Sequence, residues 1–165
     1  MTFQSIVTGV LLGIGATILM DVWNLFLKAA FGIPSLNYCF LGRWILHMPD
    51  GVFHHDSIGK ASQKAGECIV GRVAHYTIGV SLAVLFVLIS EGWLAQPTLV
   101  RALVFGIATV VFPFFLMQPA LGLGVASSRA AKPTQARLKS LATHTIFGVG
   151  LYATALALTR IFPLS

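Results

Sequence analysis

Ionisable and amide side chains are scarce in this 165-residue chain, so the few that interrupt its apolar runs stand out. Asp21, Asn24 and Lys28 recur at i, i+3 and i+7, which places them on one face of a helix. Arg72, His75, Tyr76 and Gly79 make a comparable stripe, and Ser140, His144, Gly148 and Tyr152 a third. Asp and His side chains inside helical bundles are typical proton relays, and the same groups can hold a small polar solute or ion. Two other chemistries use the same residue types. His75 and His144 could serve as axial haem ligands between facing helices, or Arg43, His47, Asp50 and His54 could act on a lipid headgroup. His54-His55-Asp56 has the residue types of a metal site but no partner at diagnostic spacing, so no metal site is expected. Serine nucleophile elbows, phosphate-cradling loops and H-E-x-x-H helices are missing, which lowers the enzyme reading without removing it, and the sequence leaves the cofactor unknown.

The elements that must position these residues are membrane helices. Hydrophobic residues make up 56% of the chain and charged ones 10%, against about 25% charged in an ordinary soluble domain. The mean hydropathy is +0.85. Runs free of Asp, Glu, Lys and Arg extend over Met1–Met20, Val73–Ser90, Ala102–Ser128 and Ser140–Thr159. Each approaches the ~18 to 20 residues that a spanning helix needs. The expected architecture is an all-α integral membrane four-helix bundle, one membrane domain over residues 1–165, with spans near 4–27, 70–90, 99–118 and 140–161. The first span lacks a preceding Lys or Arg and a following small-x-small site, so it is read as retained rather than cleaved.

Turn and breaker residues set the joints. Gly32-Ile33-Pro34-Ser35 should end the first helix, and Ser35 could cap a short amphipathic helix over Leu36–Met48, with Leu41, Trp44, Ile45 and Met48 on one face and Arg43 and His47 elsewhere. That helix is too short to span and is expected to lie flat in the headgroup layer of a connection over residues 32–66, closed by the Met48-Pro49-Asp50-Gly51 turn. Pro113 and Gln118-Pro119 should kink the third span. Gly9, Gly13 and Thr17, with Gly71, Gly79, Gly106, Gly148 and Gly150, supply the small residues that let helices approach in lipid. Trp23, Trp44 and Trp93 read as interfacial anchors. Cys39 and Cys68, without a C-x-x-C or a zinc-type His partner, read as free thiols.

Lys28, Arg43, Lys60, Lys64, Arg72, Arg129, Lys132, Arg137 and Lys139 fall on one side of such a bundle, Arg101 and Arg160 on the other. By the positive-inside rule the nine face the cytoplasm and both termini face the periplasm. The net charge of +6 is thereby explained by topology and anionic headgroups, with no nucleic-acid partner implied. In this orientation Asp21 and Gln118 come near the ends of inward-running helices, and His75 and His144 near the starts of outward-running ones. All four should share a layer within about two turns of the cytoplasmic boundary. The expected binding site is a polar pocket of Asp21, His75, Gln118 and His144, flanked by Arg72 and Tyr76, with Arg43 and His47 as its lid. Its ligand would be a small solute, ion or proton, and its other partners the lipid bilayer and a second copy of the chain. A faint internal repeat, residues 74–82 against 143–151, pairs His75 with His144. The remaining alternative is a structural accessory subunit with no pocket.

The run Phe31-Gly32-Ile33-Pro34-Ser35-Leu36-Asn37-Tyr38 is followed by Gly42-Arg43-Trp44, His47-Met48-Pro49, Gly51, Phe53 and Ala74-His75-Tyr76. Met117-Gln118-Pro119-Ala120-Leu121-Gly122, then His144 with Phe147-Gly148, complete the series. In this order the motifs resemble a bacterial inner-membrane family catalogued as domain of unknown function 2938, along nearly the whole chain. The resemblance implies a small multi-pass membrane protein and carries over no catalytic residues.

Overall fold

Four stretches of the chain are apolar enough to be stable as helices only where backbone groups are paired within the segment and side chains meet lipid or each other. A computed structural model, which describes residues 3–34 and 37–161, shows these stretches as long helices. They are α1 (Phe3–Phe31), α3 (Glu67–Ile89), α4 (Leu99–Ala120) and α5 (Pro133–Ile161), with the shorter α2 (Tyr38–His47) between the first two. The four long helices have the length and composition to cross a membrane, and no strand occurs among the described residues. Their outer faces carry large apolar side chains such as Leu25, Ile69, Val100 and Phe115, all more than half exposed. Such a density of exposed apolar surface is foreign to a water-soluble monomer.

The breakers act as their chemistry requires. Gly32, at φ +63°, ends α1 in the left-handed conformation, its N–H bonded to the Lys28 carbonyl at 3.1 Å. Asn37 caps α2, its side-chain oxygen accepting from the Cys39 N–H at 3.0 Å. The cap expected of Ser35 and the start at Leu36 lie outside the described residues. Met48–Asp50 forms a 3₁₀ turn closed by Gly51 at φ +77°. In α4 the prolines are accommodated by a π turn over Pro113–Met117, where the Gln118 N–H reaches back to the Pro113 carbonyl. The apolar window of α5 is preceded by a polar first turn that carries the helix back to Pro133.

The chain divides into two compact units. The first comprises the described parts of residues 1–35, 76–109 and 142–165. All four long helices pack there through their small residues. A Cβ on Gly9 would lie 3.0 Å from the Val84 Cα, and Gly13 meets Val80 more closely still. Gly106 and Gly148 face each other, with a Cβ on the former 2.6 Å from the latter's nitrogen, and Gly150 meets Ala16. This is the close backbone approach that drives helix association where hydrophobicity gives no net force. The core holds Leu12, Ala16, Met20, Ala83, Phe86, Phe147 and Leu151. Trp93 belongs to it as well, 1% exposed, edge-on to Phe86 and donating Nε1–H to the Thr98 carbonyl. It is therefore a core residue and not the interfacial anchor expected, because the turn after α3 folds it back under the helix ends.

The second unit comprises the described parts of residues 36–75 and 110–141. Its centre is the crossing of α2 over the start of α3, where Gly42 and Gly71 have no room for a side chain: a Cβ on either would run into the other helix's backbone at Glu67 or Tyr38. Cys39 and Cys68 flank this crossing with Cα atoms 3.8 Å apart and are joined as a disulfide. The expectation of two free thiols is corrected by this pairing. The connection folds back on the end of α4, with the His55 N–H bonded to the Ala120 carbonyl at 2.9 Å and that of Ile58 to Leu121 at 3.1 Å.

Candidate functional site

In the first unit each long helix contributes one polar side chain to a belt at the same end of the packed core. α1 supplies Asp21, α3 Tyr76, α4 Thr109 and α5 His144. The contacts of Thr17 with Gly79, Ala16 with Gly150, and Gly106 with Gly148 fix the antiparallel registers. Carried along those registers, the four residues fall within about two turns of one another. Tyr76 donates its hydroxyl to Asp21 Oδ2 at 3.0 Å, joining two residues that the sequence stripes had singled out. Thr109 Oγ1 lies 2.6 Å from the Gly106 carbonyl and 2.7 Å from His144 Nδ1.

The Thr109 geometry fixes a tautomer. A hydroxyl has one proton, and the carbonyl can only accept, so Thr109 donates to Gly106 and receives the Nδ1–H of His144. His144 is thereby held with Nε2 as its acceptor nitrogen. The same region buries polar atoms that find no partner among the described residues: Thr17 Oγ1 in a residue fully buried, Thr143 Oγ1, and Trp23 Nε1. Asn24, also buried, turns its amide onto the Met20 carbonyl.

The other expected site residues lie in the second unit, each with partners of its own. His75 Nε2 is 3.1 Å from the Tyr38 hydroxyl, the two rings stacked at 4.4 Å. The Arg72 guanidinium stands 5.8 Å from the Tyr38 ring centroid. Gln118, 5% exposed, donates Nε2–H to Ser140 Oγ at 3.3 Å, while its Oε1 is buried with no partner among the described residues. Arg43 and His47 face inward, although the apolar spacing of α2 put them on its polar side. Arg43 binds Glu67 through two nitrogens at 2.8 and 2.7 Å and gives Nη1 to the carbonyls of Ile58 and Ala61. Hydrogen bonds and charge from Glu67 raise its pKa above the ordinary arginine value against the opposing effect of burial. His47 donates Nε2–H to the Ser62 carbonyl at 3.0 Å.

His55 packs edge-on to His47 at 5.1 Å between ring centroids, buried, with Nε2 unpartnered among the described residues. Burial pushes its pKa down, and the charges of His47, His54 and Arg43 push the same way. The Lys64 ammonium, 2.6 Å from Asp50 Oδ2, holds that carboxyl below its usual value. The described residues hold no group of three His, Cys, Asp or Glu arranged for a metal ion.

Tyr38, Glu67 and Thr109 are the participants that sequence reasoning missed. Tyr38 and Glu67 lie at helix starts, where no periodic stripe marks them, and Thr109 sits alone in an apolar helix. No curated protein and no solved structure matches the chain. Residues 10–158 match the family described as "Protein of unknown function (DUF2938)", and with a match over nearly its whole length the chain belongs to that family.

Proposed function

We propose that this multi-pass membrane protein binds a proton, ion or small polar solute at the belt of Asp21, Tyr76, Thr109 and His144, and passes it between leaflets. The observation that carries this reading is the convergence of one polar residue from each of four spanning helices, beside buried hydroxyls with no partner among the described residues. Groups of this kind are costly in a membrane interior and mark solute or proton pathways there.

Two competing readings fit the geometry less well. His75 has its Nε2 on the Tyr38 hydroxyl, so that ring does not present this nitrogen to an iron as bis-histidine haem ligation asks. Arg43 is fully engaged by Glu67 and two carbonyls, which leaves no fork for a lipid phosphate. The charge asymmetry of nine basic residues against two supports a bacterial inner-membrane location with both termini periplasmic.

The test is flux into proteoliposomes of the purified protein, read with an internal pH dye and with labelled small solutes. Asp21→Asn and His144→Gln should each reduce flux at least tenfold with the protein still folded. Wild-type flux retained in both variants would remove the belt as the site.

A further inference from the structure

At the end of the first unit away from the belt, a cleft of about 740 Å³ opens between the first turns of α1, the end of α3 with its following turn, and the last turns of α5. That volume lies within the 300 to 1,000 Å³ range of small-molecule sites. Its walls are hydrocarbon, chiefly Leu11, Leu94 and Leu158. Its rim is polar, with Thr8, Thr159 and Glu91. Glu91 is exposed, and no cation pairs with it among the described residues.

Its position bears on what it can hold. Gln4, Ser5 and Thr8 lie in the first turns of α1, and Ser90 and Glu91 immediately follow α3, so the rim stands at helix ends where bilayer headgroups lie. A purely polar solute would leave the leucines facing it unsatisfied, and water does not settle in a cavity lined by Leu. A simple hydrocarbon would leave the Glu91 carboxylate unmet. An anionic headgroup would meet Glu91 as a like charge. The occupant that satisfies both surfaces is an amphiphile with an acyl chain and a positively charged head.

We infer that this cleft is a binding site for one aminophospholipid, its acyl chain along Leu11 and Leu158 and its ammonium on Glu91. The site is distinct from the belt and does not depend on it.

Native mass spectrometry of the full chain tests this, after exchange into nanodiscs of equimolar dioleoyl phosphatidylethanolamine and dioleoyl phosphatidylglycerol. One retained phosphatidylethanolamine should exceed phosphatidylglycerol about three- to five-fold, the preference expected of one exposed ion pair. Glu91→Gln should equalise the two lipids, and Glu91→Lys should reverse the order. Thr8→Phe, which fills the cleft, should remove the retained lipid while the protein stays monodisperse with an unchanged unfolding temperature. Equal retention of both lipids by the unaltered protein, an unchanged preference in Glu91→Lys, or full retention by a folded Thr8→Phe would overturn the inference.

Discussion

Arg43 and Glu67, 24 residues apart, meet as a two-pronged ion pair at the crossing of α2 and α3, with Nε to Oε2 at 2.8 Å and Nη2 to Oε1 at 2.7 Å. The side chains are 5% and 11% exposed. Glu67 also accepts the Lys64 N–H, and Arg43 holds the carbonyls of Ile58 and Ala61. One pair therefore ties α2, the connection and α3 together. Its geometry needs the planar fork of an arginine, since a lysine offers a point charge and cannot span both oxygens and both carbonyls at once.

Removing one partner of a buried pair strands the other charge, at a cost of about 3 to 5 kcal/mol. Arg43→Ala and Glu67→Ala should therefore each lower stability in detergent by about that amount, and Arg43→Lys should recover only part of it. The double variant Arg43→Met with Glu67→Leu should be less destabilised than either single alanine variant, because no charge is left unpaired. Thermal unfolding followed by circular dichroism measures all four. A loss below about 1 kcal/mol in the single variants would class the pair with surface salt bridges.

The cysteines and the basic residues make opposite demands on orientation. Disulfides persist in oxidising compartments, whereas the orientation proposed from the nine-to-two charge asymmetry would put Cys39 and Cys68 on the cytoplasmic side. With termini periplasmic, a membrane-permeant maleimide should label Cys68 in growing cells without reductant. After membranes are isolated in air, labelling should need a reductant first. Labelling by an impermeant maleimide after external reduction of intact spheroplasts would invert the proposed orientation. In the oxidised protein, Cys39→Ser should lower stability by about 3 to 4 kcal/mol for a loop of this length.

Acid should loosen the connection through His55. Its pKa is depressed in the fold by burial, with His47, His54 and Arg43 adding to the effect. Below the ordinary histidine value of about 6.5, the unfolded chain takes up a proton that the fold refuses, so stability falls as the pH drops through that value. Asp50, whose pKa is lowered by Lys64, acts in a separate window: its contribution is present above about pH 4 and is lost as the pH falls toward its depressed value. Unfolding temperatures between pH 7.5 and 5 should therefore decline in the unaltered protein and decline less in His55→Gln. Equal slopes in the two proteins would remove His55 as the cause.

The four spans were legible because each obeys a local rule, and helical spacing also singled out Asp21 and Tyr76, which the fold joins by a hydrogen bond. Charge-free runs of spanning length and an i, i+3, i+7 spacing both lie within a few turns of sequence. The ion pair and the disulfide were not legible. Both depend on α2 crossing α3 at Gly42 and Gly71, and those glycines become informative only once the two helices are known to touch. The inward turn of Arg43 and His47 has the same origin. Apolar periodicity favours Leu41, Trp44 and Ile45 as the buried face of α2, but the Glu67 carboxylate and the carbonyls of Ile58, Ala61 and Ser62 make a polar lining that only the folded connection supplies. Trp93 shows the converse: its place next to a membrane boundary suggested an anchor, and a tight turn buried it.

The Thr109 hydroxyl, shared between the Gly106 carbonyl and His144 Nδ1, leads to a prediction about a single proton. With Thr109 donating to the carbonyl, the neutral His144 ring must carry its proton on Nδ1. Nitrogen NMR of histidine-labelled protein, with the signal assigned by its absence in His144→Gln, should show that tautomer. Thr109→Ser keeps the hydroxyl and should preserve it. Thr109→Val deletes the acceptor while retaining shape, so the Nδ1–H loses its partner and the ring should shift toward the Nε2–H form. Since a relay through His144 would take up protons at Nε2, Thr109→Val should also slow proton flux, whereas Thr109→Ser should not. An unchanged tautomer in Thr109→Val would mean that the hydroxyl does not orient the ring, and the belt would lose its link between α4 and α5.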